Sequence, residues 1–443
     1  MSAPEEDPPT DSAAAAEEKK KTDDAKAKAK AKNEGSSAAL YPDMSLAQDI
    51  HRVLRCSDLS SAQGVADKIA NELVNPSLYK QFESAVESKF SSDQHSIKFV
   101  APEELTKMTQ AHETKMEELK AVVEEAKESA GDMEVMEGMV EIAHFSAQSL
   151  SPSKAMAAYK AVLDLPKLSS GKKMDCYMEL ARVASFANSL PAGGAAAVAS
   201  GASTATPTAD EDYIDKANKL AQSGSGDWDR RNRVSVYKAL QCLLKRDLKQ
   251  ASEIMLQGIA TFTCVELCTY TEFLTYAAMT NLLHLGRPLL KEKILEGPEL
   301  LAIATEIPVV MKLIRSYYDC DYKSYLHAMV EVEDVLKRDR YLSAHAAYWM
   351  RELHVLAYKQ FLDSYQSVTL AAMAEQFGVS VEFLDFHASQ FIAAGRLSAK
   401  IDKFGGTIVT NRADYKNAQY RQVIQKGDHL LNRIQKLARV VDV

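Results

Sequence analysis

The residues of this chain that could carry chemistry are few and scattered. Cys264 and Cys268 stand four apart, a spacing that puts two thiols on one helical face, but no His or further Cys lies nearby in sequence to complete a four-ligand metal site. They are expected to be buried free thiols. His345 and His354 flank Trp349, and His387 follows in an acidic stretch; ordinary packing or surface roles account for all three. The Gly-x-x-x-x-Gly-Lys spacing that cradles phosphates is missing, as are the His-Glu-x-x-His and His-x-His spacings that hold catalytic zinc. Most Asp and Glu residues fall on helix faces, where solvation or pairing is their default role. The reading is a chain that is not an enzyme, with no cofactor and no metal.

The elements that would have to position such residues are more informative. From Ser367 to Asp402 the chain reads as two short helices, a tight turn and a small β-wing. Thr369 is placed to cap a helix whose apolar positions are Leu370, Met373, Ala374 and Phe377, and Gly378 supplies the left-handed residue that ends it. Ser380 is placed to cap a second helix with the stripe Leu384, Ala388, Phe391 and Ile392. The period then shortens to two: Leu397, Ala399 and Ile401 alternate with Ser398, Lys400 and Asp402, and Thr407-Ile-Val409 returns after Phe404-Gly-Gly406. This is a winged-helix pattern. A nucleic-acid reader of this kind needs Arg, Lys, Asn or Gln on its second helix. Residues 380–394 carry Glu382 and Asp385 and no Lys or Arg, and the chain's formal charge is −8, so protein contact is favoured over nucleic acid.

The module and the run Phe391-Ile-Ala-Ala-Gly-Arg-Leu-Ser-Ala-Lys-Ile-Asp402 resemble a PCI domain, the helical-repeat and winged-helix unit of the proteasome lid, the COP9 signalosome and translation initiation factor three. Gly226-Asp-Trp-Asp-Arg-Arg-Asn-Arg233, Thr261-Phe-Thr, Tyr325, Val330-Glu-Val-Glu and Gly427-Asp-His-Leu-Leu-Asn-Arg-Ile-Gln-Lys-Leu437 are similar to the family of non-ATPase lid subunit seven of the 26S proteasome regulatory particle, over roughly 102–443. The nearest related family is signalosome subunit one. The resemblance implies a mainly α fold: a right-handed, TPR-like helical-repeat solenoid, a winged-helix (PCI) module with a small β-wing, and a C-terminal helix. It implies a scaffold of the lid that supports its assembly and ATP-dependent degradation of ubiquitinated proteins. The alternatives are a signalosome scaffold or an RNA-binding initiation-factor subunit; Asn432-Arg-Ile-Gln-Lys-Leu-Ala-Arg-Val440 favours the proteasome. Implied partners are other PCI-domain lid subunits, the lid deubiquitinase pair, and ATPase-ring or core-particle neighbours, in a hetero-oligomer.

Domain organisation follows the composition along the 443 residues. Residues 1–39 are expected to be a disordered tail, rich in Ala, Glu, Asp and Lys with little to bury. An N-terminal helical region over 40–189 includes a long polar helix at 102–129 and shorter ones near 133–147, 152–164 and 171–189. Gly, Ala, Ser, Thr and Pro mark 190–210 as a flexible linker or insertion. Helical repeats follow over 211–340, where Asp247-Leu-Lys-Gln and Asp321-Tyr-Lys-Ser recur at an interval of 74. The winged-helix module, 341–412, opens on a helix from about 342 to 365 with the stripe Leu342, Ala346, Trp349, Leu353, Leu356 and Ala357. Residues 413–443 form the last helix.

Three sets of residues are candidates for protein contact. On the last helix Tyr420, Val423, Gly427, Leu430, Ile434, Leu437 and Val441 recur at alternating intervals of three and four. That stripe either folds back on its own module or seeks other helices; the resemblance implies a shared helical bundle. On the wing, Leu397, Ala399 and Ile401 are expected to face the core, while Lys400, Asp402, Phe404 and Thr407 face a partner, and a one-residue slip would exchange the two sets. At the charged junction Asp227, Trp228, Arg230, Arg231 and Arg233, Asp229 is expected to cap a helix and Trp228 to anchor the turn. Arginines in a first helical turn need facing acids, either Asp210 to Asp212 or another subunit.

With 46% hydrophobic and 26% charged residues the composition is that of an ordinary soluble protein. No apolar run reaches the roughly 18 residues that span a bilayer, and the N-terminus lacks signal-peptide character, so no membrane contact and a cytoplasmic and nuclear location are expected. Six cysteines without a framework fit a reducing compartment.

Overall fold

The computed structural model describes residues 42–56, 61–73, 75–89, 102–129, 132–149, 152–165, 168–189, 209–224, 226–410 and 415–441. The expected tail at 1–39 and nearly all of the expected linker lie outside these residues. The chain divides into two compact units. One comprises 1–284, 298–306 and 335–344; the other comprises 285–297, 307–334 and 345–443.

The first unit is built from helices α1 (Met44–Cys56), α2 (Ala62–Asp67), α3 (Pro76–Lys89), α4 (Pro102–Ser129), α5 (Asp132–Gln148), α6 (Pro152–Leu163), α7 (Ser170–Ser189), α8 (Ala209–Gln222), α9 (Trp228–Leu244), α10 (Leu248–Gly258) and α11 (Tyr270–His284), with a short α13 (Pro298–Ala302). Sequence neighbours pack on one another down the chain, α4 on α5, α6 on α7, α7 on α8, and α9 on α10. Small residues let α5, α6 and α7 approach: Ala143, Ala147 and Ala155 close around Tyr159, Leu180 and Val183, all buried. The long helix α4 matches its expected range. Its polar character fits its exposure, for of its described side chains only Leu105 and Val123 are buried.

The recurring Asp motif marks a repeated corner. At one, Arg246 takes φ 64°, Asp247 N–H donates to the Cys242 carbonyl at 2.9 Å, and the Asp247 carboxylate accepts from Gln250 N–H at 3.3 Å. At the other, Cys320 takes φ 61°, Asp321 N–H donates to the Ser316 carbonyl at 3.0 Å, and Asp321 accepts from Ser324 N–H at 3.2 Å. One helix thus ends and the next is capped within three residues. The interval seen in sequence is this shared geometry, used once in each unit.

The second unit holds α12 (Arg287–Leu290), α14 (Pro308–Tyr318), α15 (Tyr322–Arg338, of which 322–334 belong here), α16 (Ala346–Leu362), β1 (Ser367–Thr369), α17 (Leu370–Phe377), α18 (Val381–Ala393), β2 (Ala399–Asp402), β3 (Thr407–Thr410) and α19 (Tyr415–Val441). Both expected caps form: Thr369 accepts from Ala372 N–H and Ser380 from Phe383 N–H, and Gly378 has φ 66°. The left-handed backbone at Gly378 strains any side chain there, and a Cβ would also stand 3.1 Å from the Lys323 side chain, a tight contact. The core is aromatic. Tyr322 stacks on Phe377 with centroids 4.7 Å apart, and Tyr358 and Phe361 meet the same ring edge-on at 5.1 and 5.6 Å.

Three departures from the sequence reading are local. The helix expected from about 342 is preceded by a short turn at Ser343–His345 and runs from Ala346 to Leu362, because Asp339 accepts from the N–H groups of Tyr341 and Leu342 and holds an earlier bend. Ile392, placed in the buried stripe of α18, is only half-buried. The wing has three strands rather than two: the order is β1-β3-β2, all antiparallel. β1 is three residues long, too short to show a period.

Candidate protein-interaction site

On the wing, the register pairs Lys400 with Val409, Ile401 with Ile408 and Asp402 with Thr407, while Ser367 to Thr369 cover the other side of β3. β3 is therefore the central strand, and Thr407, half-buried between Thr369 and Asp402, has no free edge to offer. Lys400 and Asp402 are exposed on β2, an outer strand. The hairpin turn is held by Asp402, which accepts from Phe404 N–H at 3.0 Å, and Phe404 stands wholly in solvent. Leu397, Ala399 and Ile408 are buried, and Ile401 is half-buried.

The sequence reading missed apolar side chains left exposed on the neighbouring helix α18. Val381, Phe383 and Phe386 on α18 are 43%, 45% and 64% exposed. Phe383 and Phe386 fall off the buried stripe of Leu384, Ala388 and Phe391, and an aromatic residue off the stripe was the available signal. Beside them Lys403 pairs with Asp385 at 3.1 Å.

Helix α19 presents its apolar stripe to solvent along its described length. Tyr420, Val423, Ile424, Leu430, Leu431, Ile434 and Leu437 are each between 52% and 68% exposed. None of the described side chains of α19 is buried, so within this chain the stripe does not fold back on its own module. The side chain of Val441 lies outside the described residues.

The charged junction is closed from within the chain. The helix starts two residues earlier than expected: Asp227, extended at ψ 160°, is the capping position of α9, so Trp228 becomes its first residue and projects outward, 59% exposed, instead of anchoring a turn. Arg230 donates to Asp175 at 2.9 Å and to Asp227 at 2.6 Å. Arg233 donates to Glu266 at 2.8 Å with both side chains almost fully buried, and lies 3.8 Å from Asp175. The acids that answer Arg230 and Arg233 among the described residues are Asp175 and Glu266, brought up by the packing of α7 on α9 and the turn after α10; the side chains of Asp210 and Glu211 lie outside the described residues. Burial pushes the Asp175 carboxyl up although Arg230 draws it down. Burial also opposes the charge of Arg233, but Glu266 outweighs it and the guanidinium stays charged. Arg231 is exposed.

The residues that invited chemistry are placed as packing groups. Cys264 and Cys268 are buried and free, and burial raises both thiols well above their ordinary range. His354 and His387 pack 4.6 Å apart against Tyr358 and Phe391, and burial lowers both imidazoles. Among the described residues no group of three His, Cys, Asp or Glu side chains could hold a metal ion. A cleft of about 370 Å³ in the first unit is lined by carboxamides, including Asn218, Asn232, Gln250 and Gln257; its Lys238 is held by Asp215 at 2.8 Å. No described helix is long and apolar enough to cross a membrane.

Comparison with known proteins accounts for this distribution of features. The family model for 26S proteasome subunit RPN7 matches 102–192 and 208–293, that for the PCI domain matches 321–412, and that for the RPN7/PSMD6 C-terminal helix matches 419–441. The chain is 38% identical to the 26S proteasome non-ATPase regulatory subunit 6 homolog of Arabidopsis thaliana over 76% of its length and 83% of that protein. It is 34% identical to 26S proteasome non-ATPase regulatory subunit 6 of Dictyostelium discoideum over 85% of its length and 92% of that protein. Against COP9 signalosome complex subunit 1 of Arabidopsis thaliana, identity falls to 27% over 35% of each chain. These matches reach from the first long helix to the last, and the chain belongs to the family of 26S proteasome regulatory subunit 6, or RPN7.

Proposed function

We propose that the chain is a non-catalytic scaffold of the lid of the 26S proteasome regulatory particle, supporting lid assembly and thereby ATP-dependent degradation of ubiquitinated proteins. The observation that carries this reading is α19: a 27-residue helix with an apolar stripe exposed throughout its described length, in a chain whose relatives are regulatory subunits. Exposed apolar surface on this scale marks an interaction site. Tyr420, Val423, Leu430, Ile434, Leu437 and Val441 enter a helical bundle with other lid subunits. Lys400, Asp402 and Phe404 meet a neighbouring PCI module at the open edge of β2, with Thr407 supporting the strand from behind. The junction from Asp227 to Arg233 fixes α9 on α7, leaving Trp228 and Arg231 to face a neighbour. Partners are other PCI-domain subunits, the lid deubiquitinase pair, and ATPase-ring or core-particle neighbours, in cytoplasm and nucleus.

Affinity purification of the tagged chain tests this. Co-purification of ATPases and proteolytic rings is expected, and a chain ending at residue 412 should lose them. Recovery of cullins and a deneddylase instead, or substrate turnover by the isolated chain, would overturn the proposal.

A further inference from the structure

The charge on α19 narrows the kind of helix that can cover it. Its residues include Lys416, Arg421, Lys426, Arg433, Lys436 and Arg439 against a single acid, Asp428, a net of +5 in a chain of formal charge −8. Lys426 and Arg433 stand seven apart, so they lie one above the other, each immediately preceding a stripe position, Gly427 and Ile434. They form one flank of the stripe. The other flank is apolar: Ile424, Leu431 and Ala438, again seven apart. Lys426 and Arg433 are exposed, and among the described residues no acid pairs with either.

A second copy of α19 cannot answer this arrangement. Laid parallel, it sets the Lys426 and Arg433 flank against Ile424 and Leu431; laid antiparallel, it sets cations against cations. Asp428 projects from the side away from that flank, so neither arrangement supplies a carboxylate. Like charges opposed beside an apolar seam disfavour pairing, and opposite charges select a partner.

We infer that α19 is built to reject its own copy and to take an amphipathic helix of another chain bearing Asp or Glu opposite Lys426 and Arg433. The inference rests on the proposal that α19 joins the chain to its neighbours, and adds the chemistry of the neighbour.

The test uses the full chain and two designed 28-residue helical peptides labelled for fluorescence anisotropy. Both carry Leu along one stripe; one has Glu on the flanks, the other Lys at the same positions. The Glu peptide is expected to bind at least about tenfold more tightly, the K426E/R433E chain to reverse that ranking, and K426Q/R433Q to level it. Because these residues are exposed, circular dichroism should be unchanged in both variants. Equal binding of the two peptides, or an unmoved ranking in the variants, would overturn the inference. So would self-association of the chain in sedimentation, or retention on phosphatidylserine vesicles, that is tighter than its binding of the Glu peptide. Entry into the regulatory particle by a chain lacking 413–443 would remove the functional proposal on which the inference rests, whereas a flat peptide ranking alone removes only the charge rule.

Discussion

Two amphipathic helices of the second unit, α16 and α19, follow the same rule in sequence and end in opposite surroundings. In α16, Trp349, Leu353 and Ala357 are buried to within 1% of complete. In α19 a stripe of comparable regularity stays in solvent. The periodicity specifies a face that must be covered, and leaves unstated whose residues cover it. The charges make the same contrast: Arg233, buried, is paired with Glu266, while Lys426 and Arg433 stand exposed without an acid among the described residues.

Substitutions can break this contrast. Phe377→Ala, which empties the centre of the aromatic core, should cost about 4 kcal/mol and unfold the second unit at lower urea, as followed by tryptophan fluorescence. Glu266→Ala should cost about 3 kcal/mol, since it leaves Arg233 charged and buried; an unchanged urea midpoint would show that water reaches the pair. His51 sharpens the comparison of basic groups. Burial, with Arg340 and Arg55 beside it, lowers its pKa to about 4. The unfolded chain takes up that proton first, so this contribution to stability is complete above about pH 6.5 and declines as pH falls toward 4. Allowing for its part exposure, about 1 kcal/mol should be lost between pH 6.5 and 5, and His51→Asn should flatten that slope in urea titrations. Least of all, Leu430→Asp with Leu437→Asp should move the melting temperature of the isolated chain hardly at all, within about 0.5 kcal/mol, yet abolish recovery of the complex. A large loss of stability in the isolated chain would mean that the stripe is covered from within.

The winged helix was legible because each of its boundaries rests on a single local device: Thr369, Gly378 and Ser380 each act on their own backbone neighbours. The corner at Asp247 and Asp321 was legible for the same reason. What escaped depended on distant partners. The acids facing Arg230 and Arg233 come from α7 and from the turn at Glu266, separations of 55 and 33 residues, and proximity in sequence favoured Asp210 to Asp212 instead. Trp228 was misplaced because the cap lies two residues before the one expected, which turned an anchor into an exposed ring. β1 was invisible since three residues carry no period, and it alone decides that β3 is an interior strand. The stripe of α19 was legible as a helical period, which does not say what covers it; among the described residues nothing does.

The uncovered stripe also sets a dosage rule for the cell. A molecule made in excess of its neighbours carries a greasy, cationic rod with nothing to shield it, and such surfaces clump or attract anionic debris. On the proposal that other chains sheathe α19, the isolated chain should clump at concentrations where the assembled one does not, and light scattering would read the difference.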